Sequence, residues 1–176
     1  EVPVLTGREL TLHDAQTASH ETEHRRLRTL SALAMGRCGA VVLTADALMQ
    51  LTVPARTLRA SCFEMEYGGS YDLDELAARF AAIGYTRCQQ VEGMGQFAVR
   101  GGILDFYAPA QQSPVRCEFF GDELDSMGEF DIATQRRTEN IRTALVTPAS
   151  EACPELAAGG RAGLLERLEA LRLRVR

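Results

Sequence analysis

The chain has 176 residues, 45% of them hydrophobic and 24% charged, which is enough for one ample core or two modest domains and ordinary for a soluble globular protein. A formal net charge of −5 argues against a free-standing DNA binder, because neutralising phosphates takes clustered cations in excess. All 19 basic residues are arginine, so a Walker A lysine, a Schiff-base lysine and a Ser-x-x-Lys pair are excluded, and with them a conventional P-loop ATPase made from these residues alone.

Residues 1–18 are weakly patterned, with Leu10 and Leu12 as candidates for a short strand. From Ser19 the spacing of Leu27, Leu30 and Ala34 predicts a helix that stops at Gly36. Its first turn reads His20-Glu21-Thr22-Glu23-His24, a literal match to the zinc-protease pattern in which two histidines four apart bind metal. No histidine follows downstream and the surroundings are polar, so a solvated first turn with acids at the helix N-terminus is the plainer expectation. Gly39 to Ala45 is a continuously apolar run of the buried-parallel-strand kind, followed by a short helix capped by Asp46 and running through Gln50. Pro54 closes that unit, and Leu58 to Tyr67 is predicted as a strand crossing into a second domain.

After a turn at Gly68-Gly69, Asp72 and Glu75 suggest a capping box for a helix with Leu73, Leu76, Ala77, Phe80 and Ile83 on one face, ended by Gly84. Thr86 to Val91 is predicted as the first strand of a small sheet. Gly93 to Ala98 matches a degenerate dinucleotide fingerprint, but it runs into a strand instead of opening a helix, so it is read as a turn and no cofactor is expected. Four strands follow: Gln96 to Arg100 and Ile103 to Tyr107 around Gly101-Gly102, then Val115 to Phe120 and Glu123 to Phe130 around the hairpin signal Gly121-Asp122.

Alternation assigns faces. With Phe97, Val99, Val115, Cys117 and Phe119 inward, Arg100, Arg116, Glu118 and Phe120 point outward. Two guanidinium groups beside a phenyl ring on a non-core face have the composition of a protein-binding hot spot, the alternative being that Phe120 tucks under a loop. Asp105 lies among apolar neighbours and needs a cation, with Arg100 or Arg116 as its partner. No second acid, base or metal ligand accompanies it, so its role is structural and no catalytic residue is assigned. Thr134 to Asn140 is expected as a polar turn and Thr143 to Thr147 as a last strand. Glu151 to Gly163 reads as a loop with one helical turn. Leu164, Leu165, Leu168, Leu171 and Leu173 mark a final helix.

The five cysteines are scattered without a Cys-x-x-Cys pair, as in reduced cytosolic thiols, and no apolar run reaches membrane-spanning length. A cytoplasmic, monomeric fragment of something larger is therefore expected, since the sequence starts at Glu1 and ends within a helical pattern.

Gly95-Gln-Phe-Ala-Val-Arg-Gly-Gly-Ile-Leu-Asp105, Pro114-Val-Arg-Cys-Glu-Phe-Phe-Gly-Asp-Glu-Leu-Asp-Ser126 and Phe130-Asp-Ile-Ala-Thr-Gln-Arg-Arg137 together resemble the second domain of the bacterial transcription-repair coupling factor (Mfd) family. The matching domain of the excision-nuclease subunit UvrB is a close relative, but its pattern near 131–135 runs more like Asp-Pro-Leu-Thr-Gly. Weaker similarity extends back through Tyr71–Tyr85 and Arg25–Gln50. The resemblance implies an α/β fold: a partial, degenerate RecA-like domain without a nucleotide site (1–62 and 149–176) with an inserted small α+β domain on a mostly antiparallel sheet (63–148). It implies a non-catalytic adapter that recruits UvrA to stalled transcription complexes in nucleotide excision repair. The family's contact positions fall on Arg100, Arg116 and Phe120, with Asp105 and Glu118 in support. On this reading Arg116→Ala weakens binding with little loss of stability. The resemblance also implies that RNA polymerase contacts, DNA contacts and ATP-driven translocation belong to other parts of a parent protein. A fragment of UvrB, or a zinc hydrolase built on His20, Glu21 and His24, are the alternatives.

Overall fold

The computed structural model describes residues 2–8 and 20–174. The candidate strand at Leu10 and Leu12 lies outside the described residues. Two short strands, β1 (Val4–Leu5) and β2 (Val42–Leu43), pair in parallel, Val4 opposite Val42 and Leu5 opposite Leu43. Helix α1 (His20–Ala34) lies between them in sequence and ends, as its spacing predicts, just before Gly36, whose φ of +68° suits the absence of a Cβ. The apolar run Gly39 to Ala45 does supply a parallel strand, but only Val42–Leu43 is strand and both side chains are exposed, so the expected burial is not met.

Helix α2 (Ala45–Met49) is capped by Thr44, whose Oγ accepts from the Ala47 amide; Asp46 sits two positions past the cap, inside the first turn. The predicted strand from Leu58 is corrected as well. Pro54 opens a helix, α3 (Ala55–Ser61), and only Phe63–Glu66 (β3) is strand. Pro pre-sets φ for a first turn and Ala-Arg-Thr-Leu-Arg-Ala favours helix, a local preference that the apolar content of Leu58–Tyr67 concealed. Leu27 and Ala34 of α1 pack with Leu58 of α3, flanked by Leu30 and Val53.

The main body is a six-stranded sheet in sequence order: β4 (Thr86–Arg87), β5 (Gln96–Arg100), β6 (Ile103–Phe106), β7 (Val115–Phe120), β8 (Glu123–Phe130) and β9 (Arg137–Asn140). All neighbours pair antiparallel except β4 with β5. The molecule is thus mixed α/β with mostly antiparallel sheets. The first sheet strand is shorter than the predicted Thr86–Val91. Thr134–Asn140 is more than a turn: Arg137–Asn140 forms the far edge strand, fully exposed and polar, and such composition resists edge-to-edge pairing. Strand β10 (Thr143–Val146) returns to pair with β3.

Helix α4 (Leu73–Ala82) covers one face of the sheet. Asp72 caps it, its carboxylate accepting from the amides of Asp74 and Glu75, and Leu76 and Phe80 face inward. The Phe80 ring lies 5.5 Å from Phe97, 5.1 Å from Phe106 and 4.8 Å from Tyr85, so one aromatic side chain ties the helix to the neighbouring strands β5 and β6. Leu104, Val115, Cys117, Leu124 and Met127 complete that core. The chain ends in a short 3-10 turn at Pro154–Leu156 and helix α5 (Gly160–Arg174), none of whose described side chains is buried.

Candidate protein-binding site

The second face of the sheet is set by strand register. Ala98, Asp105, Arg116 and Gly128 stand opposite one another across β5 to β8, and Arg100, Ile103, Glu118 and Ser126 form the neighbouring row. Directly paired residues share a face, so all eight look away from the Phe80 core. The register shifts between Glu118 and Phe119, but the extra residue, Asp125, lies on β8, so alternation along β7 is kept. Phe119 consequently packs toward the core beside Tyr71, while Phe120 points outward with 83% of its surface exposed. Among the described residues from 63 to 151, only Tyr67 and Phe120 are large hydrophobic side chains left exposed. Tyr67 carries the Arg142 guanidinium 5.3 Å from its ring, which leaves Phe120 as the uncovered aromatic.

Asp105, with no exposed surface, is the anchor of this face. Arg116 Nε donates to its Oδ1 at 2.7 Å and Arg116 Nη2 to its Oδ2 at 2.8 Å, a two-point clamp, and Arg100 Nη2 reaches the same Oδ2 at 2.7 Å. The carboxylate draws both cations, where the sequence left the choice between them open. That bond also raises the Arg116 pKa above its usual value, so the guanidinium stays charged. Arg116 lies over the Phe130 ring, 4.7 Å from its centroid, and only 17% of its side chain meets solvent; Arg100 is 44% exposed. The two arginines therefore differ. Arg116 is largely committed to Asp105, whereas Arg100, tied otherwise to the Gln89 carbonyl at 2.8 Å, has an open edge. That edge adjoins a shallow depression lined by Arg87, Gln89, Gln90, Glu92 and Val99. Glu118 accepts from Arg137 Nη2 at 3.0 Å, and Arg137 also donates to Ser126 Oγ. Arg100, Asp105, Arg116, Glu118 and Arg137 thus alternate in sign across the face and sum to one positive charge.

Of the two zinc-pattern histidines, His20 stands in solvent as expected of a solvated first turn, and His24 does not. His24 is 6% exposed rather than solvated, with its ring against Gly95, where an added Cβ would meet Nε2 at 2.8 Å. Among the described residues, no three His, Cys, Asp or Glu side chains gather as a metal ion would require. Sequence reasoning missed what this turn does. Glu23 accepts from Ser150 Oγ at 2.9 Å and from the Glu151 amide at 2.7 Å; Arg26, 1% exposed, donates to Glu151 Oε1 at 2.6 Å; and Arg8 meets Oε2 at 2.5 Å. The available signal was the helical stripe: Glu23 lies four residues before Leu27 on the face that Leu30 and Ala34 continue.

Residues 63–151 match the model of a family described as the UvrB interaction domain. The chain belongs to the UvrB interaction domain family. Beyond that domain it is similar to proteins named transcription-repair-coupling factor. The relative from Staphylococcus haemolyticus is 33% identical over 151 residues, 86% of this chain and 13% of the relative. That from Bacillus subtilis is 32% identical over 143 residues, covering 81% and 12%. That from Myxococcus xanthus is 38% identical over 127 residues, covering 72% and 11%. The chain therefore spans between 11% and 13% of the length of these relatives. Arg100, Asp105, Arg116, Glu118 and Phe120 all fall inside the UvrB interaction domain match.

Proposed function

We propose that this chain is a non-catalytic adapter whose sheet face binds the DNA-repair protein UvrA, within a transcription-repair coupling factor that brings UvrA to stalled transcription complexes in nucleotide excision repair. Phe120 and Arg100 make the direct contacts, Arg116 contributes through its remaining outward edge, and Asp105 and Glu118 hold the cations in place. The observation that carries this reading is the uncovered Phe120 ring on the same face as two arginines fixed by a buried carboxylate. Aromatic and arginine side chains dominate binding energy at protein interfaces, and here the arginines are already oriented, so little side-chain entropy is lost on contact.

The relatives' names support the setting. RNA polymerase contacts, DNA contacts and ATP-driven translocation are assigned to regions of the parent protein beyond these residues, in a cytoplasmic setting. Within the chain we assign 63–148 to the binding domain. Residues 1–62 and 149–176 then belong to a RecA-like remnant without a nucleotide site, a reading supported by the parallel β1–β2 pair and by the absence of any lysine.

Capture of the chain by immobilised UvrA tests the proposal. Phe120→Ala should weaken capture by about 2 kcal/mol, the scale of an aromatic hot spot, and Arg100→Ala should weaken it as well. Capture undiminished in both variants would refute the assignment.

A further inference from the structure

Among the described residues one non-glycine residue adopts a left-handed backbone: Gln135, with φ of +58°. For a residue with a Cβ that conformation is unfavourable, and it persists only where the surroundings impose it. Here they do. Asp131 Oδ1 accepts from both the amide and the hydroxyl of Thr134 at 2.8 Å, the Gln135 amide donates to the Asp131 carbonyl at 2.7 Å, and the Asp131 amide donates to the Arg136 carbonyl at 2.9 Å.

What the loop between β8 and β9 presents is Gln135, and it presents it to Arg116. The Gln135 carbonyl accepts from Arg116 Nη1 at 3.1 Å and its Oε1 accepts from Arg116 Nη2 at 3.4 Å. Its own Nε2 is spent on the Ile132 carbonyl at 2.8 Å and the Val91 carbonyl at 3.3 Å, which fixes the side-chain amide with its oxygen toward the guanidinium. With Asp105 on one edge, Gln135 on another and the Phe130 ring beneath, Arg116 is constrained on three sides.

We infer that Gln135 is a positioning residue for the sheet-face interface, its left-handed turn serving to fix the Arg116 guanidinium in the binding orientation. This inference rests on the proposed function, deepening it by one residue that acts through another. A left-handed glycine would close the same turn with less strain, so a glutamine at this position is accounted for by its side chain.

The test uses the full chain, purified UvrA and a double-mutant cycle. Gln135→Gly suits the left-handed backbone, keeps the carbonyl and removes the amide side chain; Arg116→Lys keeps a cation for Asp105 but not the planar fork. Gln135→Gly should weaken UvrA capture roughly fivefold, with thermal stability unchanged or higher, and should have no further effect in the Arg116→Lys background. A readout without UvrA accompanies it: the Arg116 Nε–H, bonded to Asp105 Oδ1, should give a sharp, exchange-protected resonance in the parent chain and a broadened one in Gln135→Gly. Full capture by Gln135→Gly while Arg116→Lys and Phe120→Ala lose it would overturn the positioning role alone. An equal loss from Gln135→Gly in both backgrounds would also overturn it, marking Gln135 as a direct contact. If neither Arg116→Lys nor Phe120→Ala affects capture, the interface assignment itself fails, and the inference falls with it.

Discussion

Asp105 and Phe120 sit at opposite ends of the stability–binding question, although one sheet face holds both. The carboxylate is fully buried with two guanidinium partners, so its removal leaves Arg116 wedged against Phe130 without its direct ion-pair partner. Breaking a buried pair by deleting one partner typically costs 3–5 kcal/mol, so Asp105→Ala should lower the unfolding free energy by about 3 kcal/mol in a denaturant titration. A loss below about 1 kcal/mol would mean that water already screens the group. The same geometry corrects the expectation that Arg116→Ala is harmless to the fold. With 17% of its side chain exposed and a two-point bond to a buried acid, Arg116 is a structural residue as well as a surface one, and its alanine variant should be measurably destabilised. Phe120→Ala, by contrast, removes an 83% exposed ring and should leave the unfolding midpoint within experimental error of the parent. Any UvrA-binding loss in Phe120→Ala is thus free of a folding component, and an accompanying drop in thermal midpoint would contradict the exposed placement.

At the scale of elements, α1 meets the segment after β10 through charge and one ring. Glu151, 3% exposed in its side chain, is shared by Arg8 and Arg26, and Arg26 also donates to the Thr6 carbonyl. Glu151→Ala would leave the buried Arg26 without an anion and should cost about 3 kcal/mol, read as a loosened α1 by amide exchange within residues 20–34. His24 adds a pH dependence. Burial lowers its pKa from 6.5, the neighbouring His20 and Arg28 push the same way, and Glu23 and the Ala149 backbone oppose them less strongly. The unfolded chain therefore binds the proton more readily than the folded one: the neutral ring's contribution is complete above about pH 6.5 and falls away as pH drops toward the lowered folded value. Stability should decline below pH 6.5 in the parent and decline less in His24→Gln; equal slopes would show that other groups carry the effect. These contacts also mark what the sequence could convey. The Phe80 helix, the Gly121-Asp122 hairpin and the outward placement of Arg100, Arg116 and Phe120 were readable, because period and turn chemistry are local. That Glu151 reaches across more than a hundred residues to Arg8 and Arg26 was not, since a charged residue carries no period and its partner is chosen by the tertiary fold. The helical start of α3 and the edge strand β9 were missed for a related reason: one was masked by apolar content, the other by its lack of it.

At the scale of the whole molecule, the distribution of apolar contacts divides the chain more sharply than its covalent order does. The Phe80 core draws its residues from Phe63 to Leu156, the α1–α3 cluster from Leu27 to Leu58, and the small cluster behind the sheet from Cys88 to Phe130; none mixes residues from before and after Cys62. The two parts meet through polar contacts such as Arg28 Nε to the Pro109 carbonyl at 2.7 Å, the Glu23 and Glu151 bonds, and the His24 ring. Water can replace hydrogen bonds at little net cost, whereas it cannot replace apolar contacts. The segment 63–157, which keeps the turn at Pro154–Leu156 packed on the core, should therefore fold alone and unfold in one cooperative step, with a thermal midpoint within a few degrees of the whole chain's main transition. It should also capture UvrA as well as the whole chain does, since Arg100, Asp105, Arg116, Glu118, Phe120 and Gln135 all lie within it. The outer segments should behave in the opposite way, because Val42, Leu48, Met49 and Leu51 are already exposed in the chain and their removal from the sheet domain uncovers more. If the excised segment instead unfolded gradually, or lost UvrA while the intact chain held it, the polar joint with α1 would have to be part of the binding domain, and the division at Cys62 would be wrong.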